Sequence, residues 1–262
     1  MEIIKYILYF FIYSFLGWVV ESAGCSIASK RIINRGFLNG PICPVYGFGA
    51  VLVISILGRF DNIIILFLIG MILTTILEYF TGFILETLFH AKWWDYSDQK
   101  FNIKGRVCLK NAIYFGIMSV VIIKFIHPYI EYIVSTIPYN ILISIVVITT
   151  LWTIVDLIVT IISLKKLDMK LNLLDEIITD LNDINMKLDK FDRREIQALF
   201  KTINSEELEA REKLNKINSK LDRIESNIIL QKRIIKAFPD IKHKKQQEQL
   251  QYFKEIINDN KR

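Results

Sequence analysis

Five apolar stretches, at about 3–24, 45–57, 63–89, 112–134 and 139–164, constrain this chain more than any other feature. A helix crossing a hydrocarbon core of about 30 Å needs about 20 residues. Four of the stretches reach that length, and the second falls short of it. The chain is 52% hydrophobic and still 23% charged. Those values coexist because the charge is segregated. All eleven glycines and all four tryptophans precede residue 165, and the rest of the chain is dense in Lys, Glu, Asp and Asn. The expectation is a membrane domain over 1–164 and a water-facing helical tail over 165–262.

The second stretch is preceded by NRGFLNGPICPVYGFG at 34–49, with two prolines and four glycines. Pro41 and Pro44 bias Gly40 and Cys43 away from helical geometry. If the helix starts only after Pro44, something else must fill the missing depth. The reading is a re-entrant segment, whose irregular backbone must be covered by protein or line a wet cavity. The loop 25–39 carries Lys30, Arg31 and Arg35, and the loop 90–111 carries Lys92, Lys100, Lys104, Arg106 and Lys110. The alternate loops hold only Arg59. Basic loops stay inside, so five spans place the N-terminus outside the cell membrane and the tail in the cytoplasm.

The tail is expected to continue the fifth span as one helix. Leu164, Leu167, Leu171, Leu174, Ile178 and Leu181 keep 3,4 spacing, and Asn185 takes the next seam position. The seam slips at 191–194 and returns as Leu214, Ile217, Leu221, Ile224 and Ile228. Two broken blocks predict a coiled coil or an antiparallel hairpin. Pro239 stops the pattern, and a short amphipathic piece follows at 250–257. The fold class is therefore an all-α integral membrane protein: five transmembrane helices, a re-entrant Gly/Pro segment before the second, and a cytoplasmic amphipathic, coiled-coil-like tail.

Acids inside spans are costly, about 2.5–3.5 kcal/mol at the bilayer centre, and are rarely idle. This chain has Glu21, Glu78, Glu86 and Asp156. On a helical wheel Ser14, Gly17, Glu21 and Gly24 share one face, as do Thr75, Glu78, Gly82 and Glu86, and Thr149, Thr153, Asp156, Thr160 and Ser163. One reading is interhelical packing, with the acids paired to Arg35 or Arg106. The other is a polar pocket open to the cytoplasm, built from Glu21, Asn34, Arg35, Asn39, Tyr46, Glu78, Glu86, Asp95, Asn102, Arg106 and Asp156. Trp93 and Trp94 read either as an interfacial aromatic belt or as part of a lid over that pocket.

No metal, cofactor or catalytic residue is assigned. Glu86 and His90 share a helix face near Asp95, but no further histidine is at hand for a metal site. Cys25, Cys43 and Cys108 have no paired spacing, and a net charge of +6 is too small to argue for nucleic acid. The apolar start, with Glu21 interrupting the approach to Cys25, reads as a retained span and not a signal peptide.

The strings at 34–49, EYFTGFILE at 78–86, WWDYS at 93–97 and FNIKGR at 101–106 resemble the CmpB-like, type IV ABC-transporter permease family of Gram-positive bacteria. The resemblance covers about residues 5–160 and implies a transport permease. The chain has no phosphate-binding G-x-x-x-x-G-K-[ST] loop, so a separate ATPase subunit would supply energy. Five spans are few for a pathway, which points to a homodimer through the tail, with membrane lipid around it. Two alternatives stay open: an intramembrane enzyme using acid–base chemistry on a lipid-like substrate, and a scaffold or sensor signalling through the tail.

Overall fold

A computed structural model describes residues 2–183, 208–226 and 228–259. Its helices are α1 Glu2–Ser29, α2 Pro44–Leu57, α3 Ile63–Phe89, α4 Leu109–Val121, α5 His127–Thr136, α6 Tyr139–Asp183, α7 Leu208–Glu225, α8 Ile229–Ala237 and α9 Gln247–Asp259. Four candidate spans are long and apolar enough to cross a membrane: α1, α3, the run Leu109–Thr136, and the Tyr139–Asp180 part of α6. Helix α2 is apolar but has only 14 residues, about 21 Å at 1.5 Å per residue.

Local chemistry sets the breaks. Pro44 opens α2, where its missing N–H costs nothing, and Cys43 before it is extended. The Asn62 side chain caps α3 by accepting from Ile64 N and Ile65 N at 2.9 and 3.3 Å. His90 ends that helix in the left-handed region, with φ 52°. Between α4 and α5 the chain makes a π turn at Ile122–Ile126. Pro128 cannot donate to a carbonyl four residues back, and the wider turn absorbs the displaced hydrogen bonding. Between α3 and α4, β1 Asn102–Ile103 and β2 Val107–Cys108 form a two-residue antiparallel hairpin, pairing Asn102 with Cys108 and Ile103 with Val107.

The chain divides into two units, one of Met1–Thr160 with Ala237–Ile241 and one of Ile161–Lys236 with Lys242–Arg262. In the first, one end of the helix bundle is apolar. Leu8, Tyr9 and Tyr13 of α1 pack with Val53, Ile54 and Leu57 of α2, Leu66 of α3, Ile130 and Val134 of α5, and Leu142 and Val146 of α6. The buried acids lie away from this cluster. The outer faces carry exposed Ile64, Ile72, Leu88, Ile148 and Val155, as lipid-facing helices require.

In the second unit, Leu164, Leu167, Leu171, Leu174 and Ile177 of α6 are buried, and so are Ile217, Leu221 and Ile224 of α7. Lys170 Nζ donates to Ser226 O at 2.5 Å, and Lys220 Nζ reaches Glu176 at 3.0 Å and Asp180 at 2.8 Å. These ties run α7 antiparallel to α6, as a hairpin within one chain. The seam turns to Ile177 where the 3,4 spacing names Ile178, which is half-buried. Helix α9 closes the unit, with Leu250, Phe253 and Ile257 buried. Asn185 and the slip at 191–194 lie outside the described residues.

Burial lowers the Lys220 pKa, but its bonds to Asp180 and Glu176 outweigh it and hold the ammonium above its usual value. A raised pKa of this kind contributes stability below the unfolded value near about 10.4, and the contribution is lost as pH rises through the folded value. Lys220→Met is expected to lower stability by no more than about 1 kcal/mol at pH 8, because the pairs are partly exposed. The difference should shrink as pH rises past the ordinary lysine range and through the raised folded value in chemical denaturation of the full chain. A gap that widens there would contradict this assignment.

Candidate functional site

The loop between α1 and α2 climbs back along α1. Ile33 N donates to Ser26 Oγ at 2.9 Å, Arg35 N to Ser22 Oγ at 3.1 Å, and Cys43 N to Ser14 O at 2.9 Å. Trp18 Nε1 donates to Asn34 Oδ1 at 2.6 Å. Ser14, Trp18, Ser22 and Ser26 stand four apart, one turn after another on neighbouring positions of the helix. From Ser26 to Ser14 the climb is about 18 Å at 1.5 Å per residue. Helix α2 therefore begins beside the middle of α1, and the loop's irregular backbone is satisfied by the Ser26 and Ser22 hydroxyls and by the Ser14 carbonyl. Asn34 Nδ2 adds a bond to Asn39 O at 2.8 Å. Asn34 also borders an open apolar groove with Trp18, Ile32 and Ile33.

Asp156 of α6 holds the other side of this loop. Its Oδ1 accepts from Asn39 N at 3.1 Å and Asn39 Nδ2 at 2.9 Å, and its Oδ2 accepts from Gly40 N at 2.7 Å. Thr160 Oγ1 accepts from Asn39 Nδ2 at 2.9 Å. Two consecutive backbone N–H groups aimed at one carboxylate form an anion-binding nest, and here the anion is a side chain of the same protein.

Glu21 lies where α1 meets α2 and the loop. Tyr46 Oη donates to Glu21 Oε1, and Arg35 Nε stands 3.8 Å from Glu21 Oε2. Glu78 of α3 is buried, and Tyr96 Oη donates to its Oε1 at 3.3 Å. Its Oε2 is buried with no donor in hydrogen-bonding geometry among the described residues; the Asn111 amide of α4 is the neutral group near this carboxyl. Tyr96 is bonded to Glu78 and lies within reach of the charge of Glu21. Burial, then the charge of Glu78, then that of Glu21, raise the phenol pKa above the usual tyrosine range. It therefore stays a donor.

Glu86 forms a third cluster. Arg106 Nε and Nη2 reach its Oε2 at 2.7 and 2.6 Å, and Arg106 Nη1 donates to Tyr79 Oη at 3.1 Å. Burial lowers the Arg106 pKa, but Glu86 and Tyr79 outweigh it and raise it overall. The 90–108 loop lies on this face of α3. Trp94 Nε1 donates to Arg106 O at 2.9 Å, and a Cβ on Gly82 would stand 3.3 Å from the Trp94 ring. Trp93 is buried against Phe37 and Phe89. Asp95 and Asn102 shape the loop itself. Asp95 Oδ1 accepts from Ser97 N at 3.1 Å, and Asn102 Nδ2 donates to Gln99 O at 2.8 Å. Gly105, at φ +70°, takes the left-handed turn this requires.

The geometry thus joins Glu21, Arg35 and Tyr46 directly, pairs Glu78 with Tyr96, and keeps Glu86–Arg106 and Asp156–Asn39 as separate ties. Gly24, on the same predicted face as Glu21, is exposed with nothing near it. Tyr96, Asn111 and the four-spaced stripe of Ser14, Trp18, Ser22 and Ser26 are additions that the acid-centred reading missed. Of these, only the stripe had a periodic signal. The Glu21–Tyr46–Tyr96–Glu78 cluster is acceptor-rich and suits a polar or cationic group. Among the described residues, no three His, Cys, Asp or Glu side chains group as metal ligands.

A family model described as "Putative ABC-transporter type IV" (CmpB) matches residues 8–161, and the chain belongs to that family. No curated protein and no solved structure gives a match. Together with four apolar helices, the family makes this a transport-related, multi-pass membrane protein.

Proposed function

We propose that this family member is the permease subunit of a transporter, and that substrate passes the cluster of Glu21, Tyr46, Tyr96 and Glu78. The observation that carries the reading is Glu78, a buried carboxylate in an apolar span whose second oxygen has, among the described residues, no donor in hydrogen-bonding geometry and only the Asn111 amide near the carboxyl. Packing alone gives no reason for that oxygen, since an unsatisfied buried polar group is costly. The other three acids have their partners.

The loop's climb along α1 supports a re-entrant segment that, with α2, completes a fifth crossing. The basic loops then lie in the cytoplasm with the tail, and the N-terminus lies outside. With no ATP-binding loop in this chain, a separate ATPase subunit docks on those loops. Two copies complete the pathway. Because the described seam of α6 and α7 is filled within the chain, tail pairing uses the outer faces of those helices.

The test uses the full chain, tagged and solubilised from native membranes. An ATP-hydrolysing subunit is expected to copurify. In proteoliposomes, Glu78→Gln is expected to keep that subunit and lower ATP turnover roughly tenfold or more, the scale of a coupling lost between sites. Purification with no such partner, or unchanged turnover in Glu78→Gln, rejects the reading.

A further inference from the structure

Residues Ala237–Ile241 belong to the first unit, although the helix they follow does not. Pro239 pushes Phe238 out of helical geometry and so ends α8 at Ala237. Ile241 N closes the turn on Phe238 O at 3.1 Å. The segment is seated: Ala237 is 1% exposed, Phe238 9% and Ile241 2%. Phe238 meets Trp93 edge-on, with centroids 4.9 Å apart, beside the Phe37 and Phe89 rings that pack on Trp93. The other partner is Arg35, whose guanidinium carbon lies 4.6 Å over the Phe238 ring and whose Nη1 donates to Ala237 O.

We infer that Ala237–Ile241 is a latch, an intramolecular peptide ligand that docks in the Arg35–Trp93 cleft and divides the Arg35 fork between the tail and Glu21. A guanidinium free to pair fully with a carboxylate presents two N–H groups at about 2.8 Å. Arg35 instead keeps one contact to Glu21, at 3.8 Å, and spends Nη1 and its planar face on the tail. With the latch undocked, the fork closes on Glu21 and competes with Tyr46 for it. The cleft lies inside the family-matched residues 8–161 and its occupant lies outside them. The latch therefore joins residues outside the family match to the membrane domain within it.

The test is hydrogen exchange on the full chain in lipid nanodiscs, which needs no transported substrate and is independent of the permease reading. Phe238→Ala removes a cation–π contact and an aromatic pair. It is expected to speed exchange roughly tenfold at 33–43 and 91–96, with α7 and the apolar end of the bundle unchanged. Arg35→Lys keeps the charge and loses the fork, and is expected to loosen 237–241 at least about threefold with α7 intact. Faster exchange confined to 237–243 in Phe238→Ala overturns the latch. If Phe238→Ala also melts α7, the lysine variant decides: no loosening of 237–241 there overturns the proposal.

Discussion

Asp156→Ala is expected to release the 34–43 loop and to destabilise the membrane domain by about 3–5 kcal/mol, the cost of breaking a buried charged contact from one side. The carboxylate serves three donors, Asn39 N, Asn39 Nδ2 and Gly40 N, at 2.7–3.1 Å, and is 9% exposed. Hydrogen bonds to a charged group contribute about 1.5–3 kcal/mol each and are not additive. Water does not replace Asp156 well, because the site lies against a candidate span and packs closely. A Cβ on Gly40 would stand only 3.1 Å from Asp156 Oδ2. Asp156→Asn keeps one acceptor but turns an amide donor toward N–H groups, and should lose somewhat less. Unfolding in mixed detergent micelles measures the cost, and trypsin cleavage after Arg35 reports loop release. An alanine variant within about 0.5 kcal/mol of the parent, with Arg35 still protected, would mean that the nest is dispensable.

Apolar run length made the membrane helices legible, and the glycine-, proline- and tryptophan-rich strings made the family legible. Both signals are local in sequence. The site is only partly local. A wheel places Glu78 on a face of α3, but its partner Tyr96 comes from a loop 18 residues on, and no period predicts that meeting. Ser14, Trp18, Ser22 and Ser26 of α1 carry a readable signal at spacing four. A face traced from Ser14 through small and acidic residues leads instead to Gly24, which is exposed. In the tail the heptad names Ile178, whereas Ile177 is the buried residue. A straight helix drifts from a strict heptad by about 20° per repeat, and a hairpin partner picks the neighbour that then faces it.

The closeness of α1 and α2 yields the other large effect, read from two glycines that differ only in surroundings. A Cβ on Gly47 would collide with Ser14 Oγ and stand 2.5 Å from Phe10 O. The carbonyl belongs to the α1 backbone and cannot rotate away. Gly17 is equally closed, because its Cβ would strike the Tyr46 side chain. Small residues are what let helices in a membrane approach this far. Gly47→Ala must therefore push α2 off α1, straining the Cys43 N to Ser14 O bond and the Tyr46 contact to Glu21. Overpacking of this kind costs about 1–3 kcal/mol or more, and Gly47→Val should cost more still and leave little folded protein in detergent. Gly24, in the same helix as Gly17, has nothing within 4 Å. There alanine should be neutral, or stabilise by up to about 1 kcal/mol through helix propensity. Thermal unfolding of the two alanine variants side by side separates the contributions, since propensity alone favours both. If Gly47→Ala melts no lower than Gly24→Ala, the helices are not in the contact described, and α2 does not begin at the middle of α1.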